Sequence, residues 1–156
     1  MDVVSDFQDM LEALQRHNVR YLIVGGLAFI YHAKPRFTKD MDIWVDPDEA
    51  NIAHANAALT EFGSPYLLDA GKTDQILQLG LPPNRIDLMQ SVGKLVFAEV
   101  WERRETAEYG TVTANWIDIE SLLEIKASIQ DARHQSDADY LRKVLEFRGK
   151  RDHGVN

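Results

Sequence analysis

Cysteine is absent from all 156 residues. Disulfides, cysteine–zinc sites and thiol nucleophiles are thereby excluded, and the absence suits a reducing compartment. Long apolar runs are missing too. The longest, about 21–33, contains two glycines and falls short of the ~20 residues a bilayer span requires. The opening MDVVSDFQDM is acidic and has no signal-peptide apolar stretch, so a soluble, cytoplasmic chain with no membrane association is expected. Positive charge is scarce, with 17 Lys and Arg against 25 Asp and Glu and a net charge of −8, which disfavours non-specific binding of nucleic acid. The basic cluster near the end, Arg142, Lys143, Arg148, Lys150 and Arg151, reads best as a solvated helix end with a frayed tail. His17, His32, His54, His134 and His153 form no two-histidine metal spacing, so surface or helix-end roles are expected for them. No serine sits in a nucleophile elbow.

What is present fits one globular unit. Hydrophobic residues make up 45% of the chain and charged residues 27%, enough for a core without cross-links. A single domain over 1–156 is expected, with a core at about 19–117, C-terminal helices at about 118–148 and a tail at 149–156. Val4, Phe7, Met10, Leu11 and Leu14 recur at helical spacing. Tyr21–Val24 is a short strand, and a helix follows directly at Gly25-Gly26. In Asp40–Val45, Met41, Ile43 and Val45 share one face and Asp40, Asp42 and Trp44 the other. Asp46-Pro47-Asp48-Glu49 predicts a helix capped by Asp46, with Pro47 first inside, ending at Gly63. Two strands are expected at Ile76–Leu79 and Arg85–Met89, a helix at Leu95–Glu105 and β structure at Thr111–Trp116. A helix capped by Asp118 or Ser121 should follow, and a last one over Ser136–Phe147. The fold class is therefore α/β (α+β): a mixed sheet covered by helices, mainly on one face.

The chemistry lies in acids on strands. Asp40 and Asp42 leave the same side of their strand, and like charges so close call for a cation between them. Mg²⁺ fits, as a hard ion that shares oxygen ligands with substrate phosphates. A calcium EF-hand loop fails, because Trp44 and Val45 stand where an oxygen ligand and glycine are needed. Asp87, between Ile86 and Leu88, points away from the face those two line. Three acids on adjacent strands can hold one or two metal ions and accept a proton. Gly25-Gly26 at a strand-to-helix turn lets backbone N–H groups approach an anion at the positive end of the helix. No Gly-Lys-Ser/Thr follows it and there is no G-x-G-x-x-G, so neither a Walker A loop nor a dinucleotide fingerprint is present. Trp44 either floors a cleft on the acid face or packs into the core, and packing is preferred. Trp101, Tyr109 and Trp116 are expected as core or rim aromatics.

Gly25-Gly26, then Asp40-Met41-Asp42 after thirteen intervening residues, then Asp87 on a later strand resembles the nucleotidyltransferase superfamily that includes DNA polymerase β. The strings Tyr21–Ala28, Arg36–Val45 and Gly80–Leu88 are similar to the small bacterial proteins related to AbiE-type toxin enzymes and minimal nucleotidyltransferases. The resemblance covers roughly residues 10–145. It implies Mg²⁺-dependent transfer of a nucleoside monophosphate from an NTP, such as ATP, to a hydroxyl on tRNA, a protein or a small molecule. It implies Asp40, Asp42 and Asp87 as metal-binding and catalytic residues, and Gly25, Gly26, Arg36, Thr38, Lys39 and Lys126 as nucleotide contacts. A toxin–antitoxin role and a homodimer or cognate partner protein are further implications. The sequence departs in two places. Many relatives carry Gly-Ser where this chain has Gly25-Gly26. Where relatives often read Arg-x-x-Asp-x-x-Asp, Ser136 takes the first acid position, beside Asp137 and before Asp139. These departures motivate the alternative of an inactive nucleotide- or partner-binding module with the same fold.

Overall fold

Apolar residues at every position of Tyr21–Val24 suit a strand buried on both faces, and the tertiary structure is built around it. In the computed structural model, which describes the backbone of residues 1–154 and side chains through Arg151, twelve elements follow in order. They are α1 (Ser5–Arg16), β1 (Tyr21–Val24), α2 (Gly25–His32), β2 (Asp40–Val45), α3 (Glu49–Phe62), β3 (Ile76–Leu79), β4 (Arg85–Met89), α4 (Phe97–Glu102), β5 (Glu105–Tyr109), β6 (Val112–Trp116), α5 (Ile119–Ser128) and α6 (Ala132–Gly154). The strands form one six-stranded sheet in the order β3-β4-β2-β1-β6-β5. The β1–β6 and β2–β4 pairs are parallel, and the other three pairs are antiparallel. A mixed α/β fold is thus observed.

The sheet is covered on both faces, not mainly on one. Tyr21, Ile23, Met41, Ile43 and Val45 pack with Phe7, Leu11 and Leu14 of α1 and with Ile52, Ala55 and Leu59 of α3. Leu22, Val24 and Trp44 join a second core with Phe97, Val100, Ile119, Leu122 and Leu141. The period-2 alternation of the strands sends successive side chains to opposite layers. Because α4, α5 and α6 return over the second face, both sets are sheltered. Trp44 is 1% exposed and meets Phe97 edge-on at 5.1 Å, so it is a core residue.

Several boundaries shift for local reasons. Asp48, not Asp46, caps α3: its carboxylate accepts from the Asn51 N–H at 3.3 Å, while Asp46 accepts from the Asp48 N–H at 3.0 Å in a turn just before. Gly63 closes that helix in the left-handed conformation (φ 97°), as the sequence implied. Asp118 caps α5 by accepting from the Ser121 N–H at 3.1 Å. The expected helix at Leu95–Glu105 is only α4, and Glu105 opens β5. That edge strand places Ala107 and Tyr109 inward and exposes Thr106 and Glu108, an alternation hidden by its acids. The last helix begins four residues earlier than expected and continues to Gly154, through most of the expected tail; residues 155–156 lie outside the described part. The five basic residues near the end of α6 are all exposed. His32 ends a helix as anticipated but is buried, with Nε2 2.6 Å from the Ile117 carbonyl; the side chain of His153 lies outside the described residues. Among the described residues no helix is long and apolar enough to cross a membrane.

Candidate active site

β1 ends at Val24, opposite Asp42 of β2. β2 runs parallel to β4 in a register that sets Asp42 beside Asp87 and Asp40 beside Arg85. Three acids separated by up to 47 positions in the chain therefore meet at one end of the sheet. One carboxylate oxygen from each of Asp40, Asp42 and Asp87 lies within 4.8 Å of the others. Asp87 is only 6% exposed. Burial, then the charges of Asp40 and Asp87, push the Asp42 carboxyl up from 3.8 to about 7. Burial likewise raises that of Asp87, against the opposing pull of Arg85. This cluster is electrostatically costly unless a cation joins it.

Part of that cation is supplied by the chain itself. Arg85 Nη2 donates to Asp40 Oδ2 at 2.8 Å and to Asp87 Oδ2 at 3.2 Å. Its Nε lies 3.1 Å from Asp87 Oδ1, yet the N–H is misdirected, leaving both atoms without a hydrogen bond. Sequence reasoning did not single out Arg85. The available signal was its position two residues before Asp87, which puts both side chains on one face of β4. Arg85 competes with any metal ion for the same oxygens. Replacing it with Gln is expected to tighten Mn²⁺ binding about fivefold. Calorimetry would read this; unchanged or weaker binding would show that the guanidinium does not compete.

The glycine turn is shaped by the same acids. Gly25 has φ 68°, and a Cβ there would overlap the Asp42 carboxylate. A Cβ on Gly26 would come within 2.8 Å of Thr38 Oγ1, and that hydroxyl donates to the Asp40 carbonyl at 3.2 Å. The N-cap of α2, Val24, makes no side-chain capping bond, so the first-turn N–H groups receive no side-chain cap there. Gly25→Ala is expected to lower the affinity for a nucleotide at least tenfold and to destabilise the fold by about 1–2 kcal/mol. Calorimetry and thermal melts test both effects; a variant that binds and melts like the parent would dismiss the close-approach reading.

Of the expected nucleotide contacts, the structure gathers Gly25, Gly26 and Thr38 around the acids. Lys39 is exposed. Arg36 and Lys126 are drawn elsewhere. Arg36 Nη1 donates to Asp137 Oδ1 at 2.7 Å, with its guanidinium 4.2 Å from the Phe29 ring centre. Lys126 is 5% exposed, with Nζ 3.0 Å from Asp137 Oδ2 and 3.2 Å from His134 Nδ1. Burial tends to raise the Asp137 carboxyl, but the hydrogen bond from Arg36 and the adjacent charge of Lys126 outweigh it and hold it below its ordinary value. Asp137 is thus the anchor of an ion cluster that ties the segment before β2 to α5 and α6.

No protein-family model and no curated protein sequence matches the chain. Solved structures do. The lincosamide antibiotic adenylyltransferase LnuA with lincomycin bound superposes with a TM-score of 0.60 at 15% identity, over 92% of this chain and 99% of that one. The antibiotic-resistance factor ANT(2'')-Ia matches in its solution structure with a TM-score of 0.55 at 14% identity, over 90% of this chain and 83% of that one. Its crystal structure in complex with adenylyl-2''-tobramycin gives 0.54 at 13% identity, over 97% and 98%. At such identities the likeness is one of fold, and it is the nucleotidyltransferase fold.

Proposed function

We propose that this chain is a metal-dependent nucleotidyltransferase that moves the nucleoside monophosphate of an NTP to a hydroxyl acceptor, with Asp40, Asp42 and Asp87 as its metal ligands. The observation that carries this reading is the convergence of three carboxylates within 4.8 Å beside a glycine turn, on a fold shared with adenylyltransferases. An all-oxygen donor set suits Mg²⁺ or Mn²⁺ over softer ions, and the raised Asp42 carboxyl marks a cluster short of positive charge. When bound, such an ion neutralises phosphate charge and orients the α-phosphate and its leaving group.

The chain's own residues then have separate tasks. Gly25, Gly26 and the open start of α2 receive phosphate oxygens through backbone N–H groups. Thr38 fixes the entry of β2 through its bond to the Asp40 carbonyl. Asp87 Oδ1, which lacks a hydrogen-bond donor, takes the proton of the acceptor hydroxyl. The acceptor oxygen forms a bond to the α-phosphorus, the bond from that phosphorus to the bridging oxygen breaks, and pyrophosphate leaves with the electron pair. Positioning and charge neutralisation supply most of the rate.

A second reading has an observation of its own. Arg85 already bridges Asp40 and Asp87, as expected of a binding module in which a guanidinium has replaced the metal. Titration of the protein with Mg²⁺ and non-hydrolysable NTP analogues, ATP first, separates the two. Binding that needs metal and is lost in Asp40→Asn supports transfer. Nucleotide binding that is indifferent to metal and to Asp40 supports the module.

A further inference from the structure

Beside the glycine turn lies a cavity of about 680 Å³, within the range that holds small organic ligands. Phe7 of α1, Leu27 and Ile30 of α2 and Tyr109 of β5 form its wall, and Phe37, 71% exposed, stands at its rim. Its polar lining includes Thr38 and Asn84. Thr38 lies two residues before Asp40 and is bonded to its carbonyl, and Asn84 immediately precedes Arg85. The cavity and the carboxylate cluster thus share the segments that lead into β2 and β4.

The charges around the cavity narrow its ligand. Among the described residues, Arg36 is the only basic side chain in the lining, and Asp137 holds it. Asp2 is the only acidic one among them. The Tyr109 hydroxyl accepts from the Val4 N–H at 2.8 Å. Apart from the Met1 amino group, a polyanion finds no free cation in this lining, and a polycation finds a single carboxylate in it. The net charge of −8 adds to the case against nucleic acid.

We infer that this cavity holds the apolar body of the acceptor, an uncharged, largely hydrophobic alcohol of small-molecule size. The acceptor role rests on the transfer activity proposed above; the cavity and its ligand chemistry do not. The hydroxyl enters the transfer already described, losing its proton and gaining the α-phosphorus.

N-phenyl-1-naphthylamine, a neutral dye that brightens in apolar sites, is a direct probe. Wild type should bind it saturably, and farnesol, a neutral alcohol, should displace it, whereas spermine and a short oligoribonucleotide should not. Ile30→Trp, which fills the cavity, and Phe37→Glu, which charges its rim, should each weaken the dye at least tenfold. Both should keep wild-type Mg²⁺ binding, which shows that they are folded. Asp42→Asn should lose Mg²⁺ and keep the dye. Absent dye binding, equal binding by both cavity variants, or displacement by spermine or the oligonucleotide in place of farnesol would overturn the ligand assignment and leave the transfer reading intact. Dye binding in a protein that takes up no Mg²⁺ and nucleotide would overturn the acceptor role and the transfer reading together, leaving a binding site for apolar ligands.

Discussion

Asp42→Asn is expected to cut transfer and Mg²⁺ affinity by more than about 100-fold, exceeding the 10–100-fold seen when only a supporting partner of a metal ligand is lost. The same substitution should stabilise the metal-free protein. Asp42 is pushed by burial, and then by crowding from Asp40 and Asp87, from 3.8 to about 7. A carboxyl raised in the folded state contributes stability that is fully present below its unfolded value near 4 and is lost as pH rises through about 7. Wild type without metal therefore weakens across that interval and stays weakened above it. Asparagine carries no charge, so the variant escapes this loss. At pH 8 in EDTA its melting temperature should exceed the parent's by roughly 3–6 °C, for about 1–2 kcal/mol in a domain of this size. Below about pH 4 the two should nearly coincide. Mg²⁺ should then raise wild type and leave the variant unmoved. Thermal melts at several pH values, with and without metal, give the answer. Parallel curves for the two proteins, or equal protection by Mg²⁺, would mean that Asp42 is neither strained nor a ligand.

Lys126→Met should act in the opposite way, on stability above all. Lys126 and Asp137 are buried at 5% and 6% exposure and 3.0 Å apart. Removing one member of a buried pair leaves the other charge uncompensated, at about 3–5 kcal/mol. Arg36 still holds Asp137 at 2.7 Å, so about 2–4 kcal/mol is the expected loss by denaturant titration. The pH dependence also has the opposite sense from that of Asp42. Asp137 sits below its ordinary value, so its contribution is present above about pH 4 and lost as pH falls through the depressed folded value. Nucleotide affinity, measured where the variant remains folded, should change far less than stability. A stable variant with much weaker nucleotide binding would place Lys126 on the phosphates instead, as the sequence resemblance implied.

These two residues mark where sequence reasoning succeeded and where it stopped. The face that Asp40 and Asp42 share, the turn at Gly25-Gly26 and the strand around Asp87 follow from period 2, from backbone freedom and from local apolar patterning. Such signals act over a few residues and are legible without partners. Arg85 lay within the same signal, two residues before Asp87, but its partner Asp40 is 45 positions away, and register alone brings them together. β5 was missed because an edge strand with two glutamates alternates only weakly.

The sequence by itself determined the mixed α/β class and the strands that carry the acids, since each depends on residue type and local spacing. Tertiary structure alone decided that both faces of the sheet are covered, that Trp44 is core, that Arg85 fills part of the carboxylate cluster, and that Arg36 and Lys126 are held by Asp137, 101 and 11 positions away. Burial and long-range ion pairing depend on which segments the fold brings together, and a local pattern holds no record of that.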